Sequence, residues 1–288
     1  MASGLGTLYV VATPIGNLDD ITLRALTVLK EVDLVAAEDT RRTRALLSHF
    51  GIATPLVSYY DAVESRRVQG LLRRLARGER IALVSDAGTP GVSDPGHRLI
   101  AGAARAGVPV VAVPGPSALT AALAVAALPH ERFVFEGFLP PKGVARRRRL
   151  EALAREERTI VLFEAPHRLA RTLADLCAAL GDRPAVLCRE LTKRFEEVRR
   201  ETLAALRAAV GSGLQARGEL TLVIEGGATE EKRTGDADTL DVAITAALAA
   251  VGREGGSVRD AVDRVTAERG GRRREIYRRA LELRSGRR

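Results

Sequence analysis

Tryptophan is absent from these 288 residues, aromatics make up only 3%, and the chain has one methionine and two cysteines. A core with so few large rings has to rest on Ala, Leu and Val, and a hydrophobic content of 46% suffices for that. Cys177 and Cys188 lack metal-ligand spacing, and no export-type segment is read at the N-terminus, so a disulfide is not expected. No apolar run approaches the roughly 20 residues that cross a bilayer. The longest, Ala118–Leu128, is short and Ala-rich. The histidines at 49, 97, 130 and 167 are scattered, which argues against a metal site. No Gly-rich loop ends in Lys-Ser or Lys-Thr, and no serine sits in a nucleophile-elbow pattern. The segment Thr13-Pro-Ile-Gly-Asn17 lacks most of the glycines that a dinucleotide fingerprint needs. The expectation is a cytoplasmic protein without a membrane partner, whose chemistry uses neither metal nor covalent intermediate.

Strand-like and helix-like segments alternate along most of the chain. Strands are expected at Leu8–Ala12, Leu34–Ala37, Ile81–Ser85 and Val110–Val113, with helices at Ile21–Lys30, Thr40–Phe50, Ser65–Gly78 and Pro95–Ala106. Asp94 followed by Pro95 reads as the start of the last of these helices. Such alternation predicts an α/β fold with a mainly parallel sheet covered on both faces. It resumes after a joint near Pro129–Arg132. Strands are expected at Arg132–Phe138, Thr159–Glu164, Ala185–Arg189 and Leu220–Glu225, and helices at Ala145–Glu156, Pro166–Leu180 and Val198–Val210. Residues 226–239 have linker composition. Helical patterns come next at Leu240–Val251, Val258–Arg269 and Arg272–Leu283, with a helix–turn–helix corner at Gly270-Gly271. The expected division is an α/β lobe over 1–129, a second over 130–227, and a small basic helical appendage over 240–288.

Two loops carry the functional signal. Ser85-Asp-Ala-Gly-Thr-Pro-Gly-Val-Ser-Asp-Pro-Gly96 follows an apolar strand, and Pro114-Gly-Pro-Ser-Ala118 follows the next. Turn residues at that density end a strand and expose backbone groups, at the sheet edge where open α/β folds bind ligands. The formal net charge is +9, almost all of the basic residues are Arg, and they cluster at 146–149, 189–200 and 272–288. Clusters of this kind point to a polyanion partner, although a solvated face is the alternative.

The chain resembles the tetrapyrrole methylase superfamily, and within it the branch that acts on ribosomal RNA. The likeness rests on Tyr9-Val-Val-Ala-Thr-Pro-Ile-Gly-Asn-Leu-Asp-Asp-Ile-Thr22, Glu38-Asp-Thr-Arg41, the loops at 85–96 and 114–118, Glu136-Gly-Phe-Leu139, Pro166-His-Arg168 and Arg189-Glu-Leu-Thr-Lys193. Pro141, Phe163 and Ala165 depart from the pattern. The resemblance implies a two-lobed fold holding S-adenosyl-L-methionine in its cleft, a homodimer, and 2′-O-methylation of a cytidine in the decoding region of 16S rRNA in the small ribosomal subunit. Rival readings are a precorrin- or porphyrin-type C-methyltransferase and a non-catalytic ribosome-binding factor.

The site residues can then be placed as expectations. Asp86 and the carbonyls of Ala87 and Gly88, with Thr89 and Pro90 beside them, are expected at the cofactor's ammonium. The N–H groups of Ser117 and Ala118, opening a helix, suit its carboxylate. The resemblance adds Leu139, Leu191, Gly218 and Glu219 around the adenosine. Candidate bases for the ribose hydroxyl are Glu38, Asp39, Glu164, Glu190 and Lys193, the last only with a depressed pKa. Transfer by alignment alone, with solvent taking the proton, is the competing route. Arg41, Arg146, Arg147, Arg168, Arg272, Arg273 and Arg274 are candidate RNA contacts, and Lys193 is an alternative phosphate grip.

Overall fold

A computed structural model describes the chain except for residues 1–3, 213–217, 228–229, 254–255, 270–272 and 286–288. It contains two compact units, residues 1–227 and 228–288. The first unit holds two five-stranded sheets.

The first sheet is built from β1 (Leu8–Val11), β2 (Leu34–Ala37), β3 (Leu56–Ser58), β4 (Ile81–Val84) and β5 (Val110–Val113). Its order is β3-β2-β4-β1-β5 and every pairing is parallel. Around it lie α1 (Leu23–Glu31), α2 (Thr40–His49), α3 (Asp61–Ala76) and α4 (His97–Arg105). Alternate strand residues feed two cores: Leu8, Leu34, Ile81 and Leu83 pack on one face, Val11, Val35, Ala82 and Val84 on the other. Both faces are therefore apolar, as a parallel sheet covered on two sides requires. Thr22 caps α1 by accepting from the Ala25 N–H at 3.1 Å, and Asp39 caps α2 by accepting from Arg41. The expected start at Asp94-Pro95 is not used: α4 begins at His97 behind Gly96, whose φ of 145° only glycine tolerates.

The second sheet comprises β6 (Phe133–Phe138), β7 (Thr159–Glu164), β8 (Pro184–Arg189), β9 (Glu197–Thr202) and β10 (Leu220–Ile224), in the order β6-β7-β10-β8-β9. Only β6–β7 is parallel; the other pairings run antiparallel. α6 (Gly143–Ala154), α7 (Leu169–Leu180) and α8 (Leu203–Gly211) cover one face through Leu153, Leu169, Leu173, Leu176 and Leu206. The helix expected over Val198–Val210 is split between β9 and α8, because Glu197–Thr202 pairs with β8 and the Thr202 hydroxyl caps α8.

The other face of this sheet is covered by a helix that the chain order assigns to the first half. α5 (Ala118–Ala126) packs Ala122, Leu123 and Ala126 against Val161, Val186, Cys188 and Val223. Ile15, from the loop after β1, joins the same core. Burial pushes the Cys188 thiol up to about 11, so it behaves as an apolar filler.

The second unit comprises α9 (Glu230–Arg253), α10 (Val258–Arg269) and α11 (Arg273–Ser285) around Ile244, Val251, Val262, Val265, Ile276 and Ala280. From Glu230 onward, helix stands where the linker over 226–239 is expected. Ser257 and Asp260 form a reciprocal cap on α10. The Gly270-Gly271 corner lies outside the described residues. Among the described residues, no helix is long and apolar enough to cross a membrane.

Candidate functional site

The loops after β1 and β4 are tied together by backbone. Thr13 N–H donates to the Gly88 carbonyl at 2.9 Å and Gly88 N–H returns the bond to Thr13 at 3.0 Å. The buried Thr13 hydroxyl donates to the Ser85 carbonyl at 3.0 Å. Gly88 sits at a φ of 81°, which explains a glycine there. This pairing fixes Ile15 and Ala87–Thr89 as one wall of a cavity of about 310 Å³. Ser117 and Ala118 form a second wall, Phe138, Phe163 and Glu164 a third, and Gly218–Thr221 close it.

Ser117 occupies the cap position of α5 without a side-chain cap bond, so the first-turn N–H groups of that helix are left for a ligand. Phe163 stacks edge-on against Phe135 and Phe138, with centroids 4.9 and 5.9 Å away. Both halves meet across the cavity. Ser93, in the left-handed region at a φ of 63°, lies so close to Gly137 that a Cβ there would stand 2.5 Å from its hydroxyl. Backbone held in that region away from glycine is costly and concentrates at functional sites.

Most of the expected cofactor residues are brought together. Ala87, Gly88, Thr89, Ser117, Ala118, Gly218 and Glu219 line the cavity. Leu139 and Leu191 are buried in the two cores that flank the second sheet, and Pro90 is buried behind its loop; none of the three is part of the lining. Asp86 is turned away from it. One of its carboxylate oxygens accepts from the Asp39 N–H at 2.9 Å, and the other lies 3.3 Å from the Arg42 guanidinium. Both Gly88 backbone groups are taken up by Thr13. Sequence reasoning misses Ile15, Val92, Ser93, Phe138 and Phe163 in the lining. For Phe138 and Phe163, apolar residues at strand ends beside the glycine-rich loops are the signal that could have found them.

The candidate bases differ in what holds them. Asp39 is gripped by Arg41 through side chain and backbone, which keeps its carboxyl well below the usual range. Glu164 is buried and lines the cavity, but its oxygens accept from Thr172, from the Ala165 N–H at 2.8 Å and from Arg168, 3.2 Å away. Glu38 accepts from the Asp86 N–H at 3.2 Å. Glu190 and Lys193 form one latch. Burial alone would raise Glu190, yet hydrogen bonds from Lys193 and the Glu219 N–H, both at 2.9 Å, outweigh it and lower the pKa. For Lys193, burial would lower the pKa, but Glu190 and Glu219 outweigh it and raise it. The shift runs opposite to the depression that a role as base requires, and it suits Lys193 to an anion. Its stem covers Gly16, and Glu190 fills the space that a side chain at Gly218 would need.

The arginines separate by burial. Arg146 is only 3% exposed. It donates to Asp175 at 2.7 Å, to the Pro140 carbonyl at 3.1 Å and to Thr172 at 2.9 Å. The expected RNA contact at Arg146 is thus an interior tie, because its guanidinium is consumed within the protein. Arg168 bonds Glu164 and the Leu139 carbonyl. Arg41 and Arg147 are exposed, and so are Arg273, paired with Asp263 at 2.6 Å, and Arg274. Arg272 lies outside the described residues. Among the described residues no cluster of His, Cys, Asp or Glu could hold a metal ion.

Comparison with known proteins agrees with this geometry. Residues 7–207 match the family model of the Tetrapyrrole (Corrin/Porphyrin) Methylases. The ribosomal RNA small subunit methyltransferase I of Pseudomonas aeruginosa is 53% identical over 223 residues, covering 77% of this chain and 79% of that protein. Its namesake from Synechocystis is 47% identical over 281 residues, covering 97% and 99%. Among solved structures, the uroporphyrin-III C-methyltransferase of Thermus thermophilus complexed with S-adenyl homocysteine superposes with a TM-score of 0.55 at 21% identity, covering 76% of this chain and 97% of its own. The methyltransferase CobJ gives 0.59 at 23% identity, covering 78% and 95%. The chain belongs to the tetrapyrrole methylase family and, within it, to the group of proteins named ribosomal RNA small subunit methyltransferase I.

Proposed function

We propose that this chain transfers a methyl group from S-adenosyl-L-methionine to the ribose 2′-hydroxyl of a cytidine in the decoding region of 16S rRNA. Methylation of small-subunit ribosomal RNA is the activity the relatives' name describes, and the family membership, with a structural neighbour holding S-adenyl homocysteine, supports the cofactor. The sugar position, the base and the decoding region are the particulars proposed. The observation that carries the reading is the cavity shared by the two sheets, with the uncapped start of α5 on one side and apolar rings on the other.

The residues present suit the cofactor. Backbone N–H groups at Ser117 and Ala118 meet a carboxylate; Ile15, Val92, Phe138 and Phe163 cover an apolar body and exclude water. Bound there, the cofactor supplies an electrophilic methyl on a sulfonium. The walls of Ser117–Ala118, Ile15, Phe138 and Phe163 would hold that donor in line with the acceptor hydroxyl, whose proton would leave to water as the methyl is transferred. The Lys193 pKa is raised and the Asp39 and Glu190 carboxyls are lowered. The Glu164 oxygens are taken by Thr172, Ala165 and Arg168, and Glu38 accepts from the Asp86 N–H. Alignment of the reactants therefore supplies the rate. Effects of that kind reach roughly 7–11 kcal/mol. Lys193, Arg41 and Arg147 grip phosphate, and Arg273 and Arg274 of the helical unit add to the RNA surface. A cytoplasmic homodimer completes the reading; the open edge at β5, where Val110 is 36% exposed, supports an interface.

Incubation with labelled cofactor and small ribosomal subunits lacking the modification, followed by mass-spectrometric mapping, tests the reading. One new 2′-O-methylcytidine in the decoding region is expected. Label transferred to a tetrapyrrole instead of RNA would replace the reading with the C-methyltransferase one. Sedimentation tests the dimer.

A further inference from the structure

On the other side of the Thr13–Gly88 pairing lies a second cavity, of about 400 Å³. The two loops alternate between the cavities. Ile15, Ala87 and Gly88 face the first, whereas Thr13, Pro14, Gly16, Ser85 and Asp86 face the second. Its remaining wall is α2, through Arg42, Thr43 and His49. The cavity opens into a basin between the β1 loop and residues 192–194, because Gly16, Leu18 and His49 border both. Lys193 and Arg194 stand at the far rim of that basin.

We propose that this second cavity receives the base of the acceptor nucleotide, with Asp86 and Arg42 reading its polar edge. The assignment rests on the reading of the chain as a ribosomal RNA 2′-O-methyltransferase acting on cytidine. Asp86 is a held group: one carboxylate oxygen accepts from the Asp39 N–H at 2.9 Å, and its own N–H donates to Glu38 at 3.2 Å. The second oxygen faces Arg42, 3.3 Å away, and the Arg42 side chain is 68% exposed. An acceptor and a donor thus stand side by side. Cytosine offers the complement, an exocyclic amino donor beside a ring acceptor. Uracil offers a carbonyl beside an N–H, and its carbonyl would face the carboxylate. Carboxylates accept from the cytosine amino group in nucleic-acid recognition generally, and a well-paired base contact discriminates by roughly 1–3 kcal/mol, about 5- to 150-fold.

The test compares methyl transfer by the full chain to small ribosomal subunits carrying cytidine or uridine at the target position, with cofactor affinity measured by calorimetry. Asp86→Asn keeps an acceptor for the Asp39 N–H and removes the charge that repels the uracil carbonyl. The expected result is at least a tenfold rise in the uridine-to-cytidine ratio of kcat/KM, with cofactor affinity within twofold of the parent. Arg42→Gln is expected to lower kcat/KM for cytidine about tenfold, again sparing the cofactor. Should Asp86→Asn fail to fold, the exposed Arg42 decides alone. A tenfold loss of cofactor affinity in either variant would return Asp86 to the cofactor site and overturn the assignment, as would an unchanged base preference in Asp86→Asn or an unchanged kcat/KM for cytidine in Arg42→Gln. If the parent protein methylates neither subunit, the reading of the activity itself falls and takes this assignment with it.

Discussion

Arg146 separates two meanings of a basic cluster. In Arg146–Arg149 the sequence offers four guanidiniums to RNA, yet the first is 3% exposed and donates to Asp175, Thr172 and the Pro140 carbonyl. Thr172 in turn donates to the buried Glu164 at the cavity wall. Arg146→Met keeps much of the apolar stem and removes all three donors. Breaking a buried pair by removing one partner costs about 3–5 kcal/mol, because the other partners stay desolvated. For a unit of this size each kcal/mol shifts Tm by roughly 2–4 °C, which gives a fall of about 6–20 °C. Arg147→Ala, at a side chain 69% exposed, should leave Tm within about 2 °C. Thermal melting followed by circular dichroism reads the first effect, and the salt dependence of RNA binding reads the second. Arg147→Ala is expected to reduce the slope of log K against log salt by about one phosphate contact, which Arg146→Met leaves alone. A stable Arg146→Met protein with a reduced slope would refute the interior role.

Thr13→Val removes the buried hydroxyl donor to Ser85 and is expected to destabilise by about 1–3 kcal/mol in urea unfolding, with weaker cofactor binding because the partition loosens. Gly218→Ala forces a Cβ into the Glu190 carboxylate at a φ of 79°, so cofactor affinity should fall at least tenfold by calorimetry. The Glu190–Lys193 latch has a pH window. The lowered Glu190 pKa gives stability that is present above its ordinary 4.5 and lost as pH falls through the folded value. The raised Lys193 pKa gives stability that is present below its ordinary 10.5 and lost as pH rises through the folded value. Melting curves of Lys193→Met should therefore differ from the parent most between those limits and converge in acid. Removal of residues 228–288 should spare cofactor affinity and reduce the salt slope of RNA binding.

The alternation of apolar runs with amphipathic ones locates eight of the ten described strands, apart from boundaries. β3 is invisible to it because Leu56-Val57-Ser58 is three residues between a proline and Tyr59. β9 escapes because Glu-Val-Arg-Arg-Glu-Thr is a polar edge strand whose stability comes from pairing with β8 rather than from burial. The loops that line the first cavity are legible as turn-rich strand ends, but composition says nothing about which side of a loop a residue faces. Asp86, expected beside Ala87 and Gly88, accordingly lines the second cavity and not theirs. The inward turn of Arg146 carries a readable signal: Leu150 and Leu153 come after it at helical spacing, on the buried face of α6.

The placement of α5 has a mechanical consequence. Its first turn faces the first cavity while its body is built into the apolar layer beneath the second sheet. The chain crosses from one structural layer to the other at Pro114-Gly-Pro116, well before the joint at 129–132 that chain order suggests. Gly115 is packed there against Ala12 and Thr22, so the crossing is anchored to the first sheet while Ala122, Leu123 and Ala126 fasten the helix to the second. A ligand touching both Ala87–Thr89 and Ser117–Ala118 would therefore bridge the cores of the two sheets and add to the stability of the whole unit.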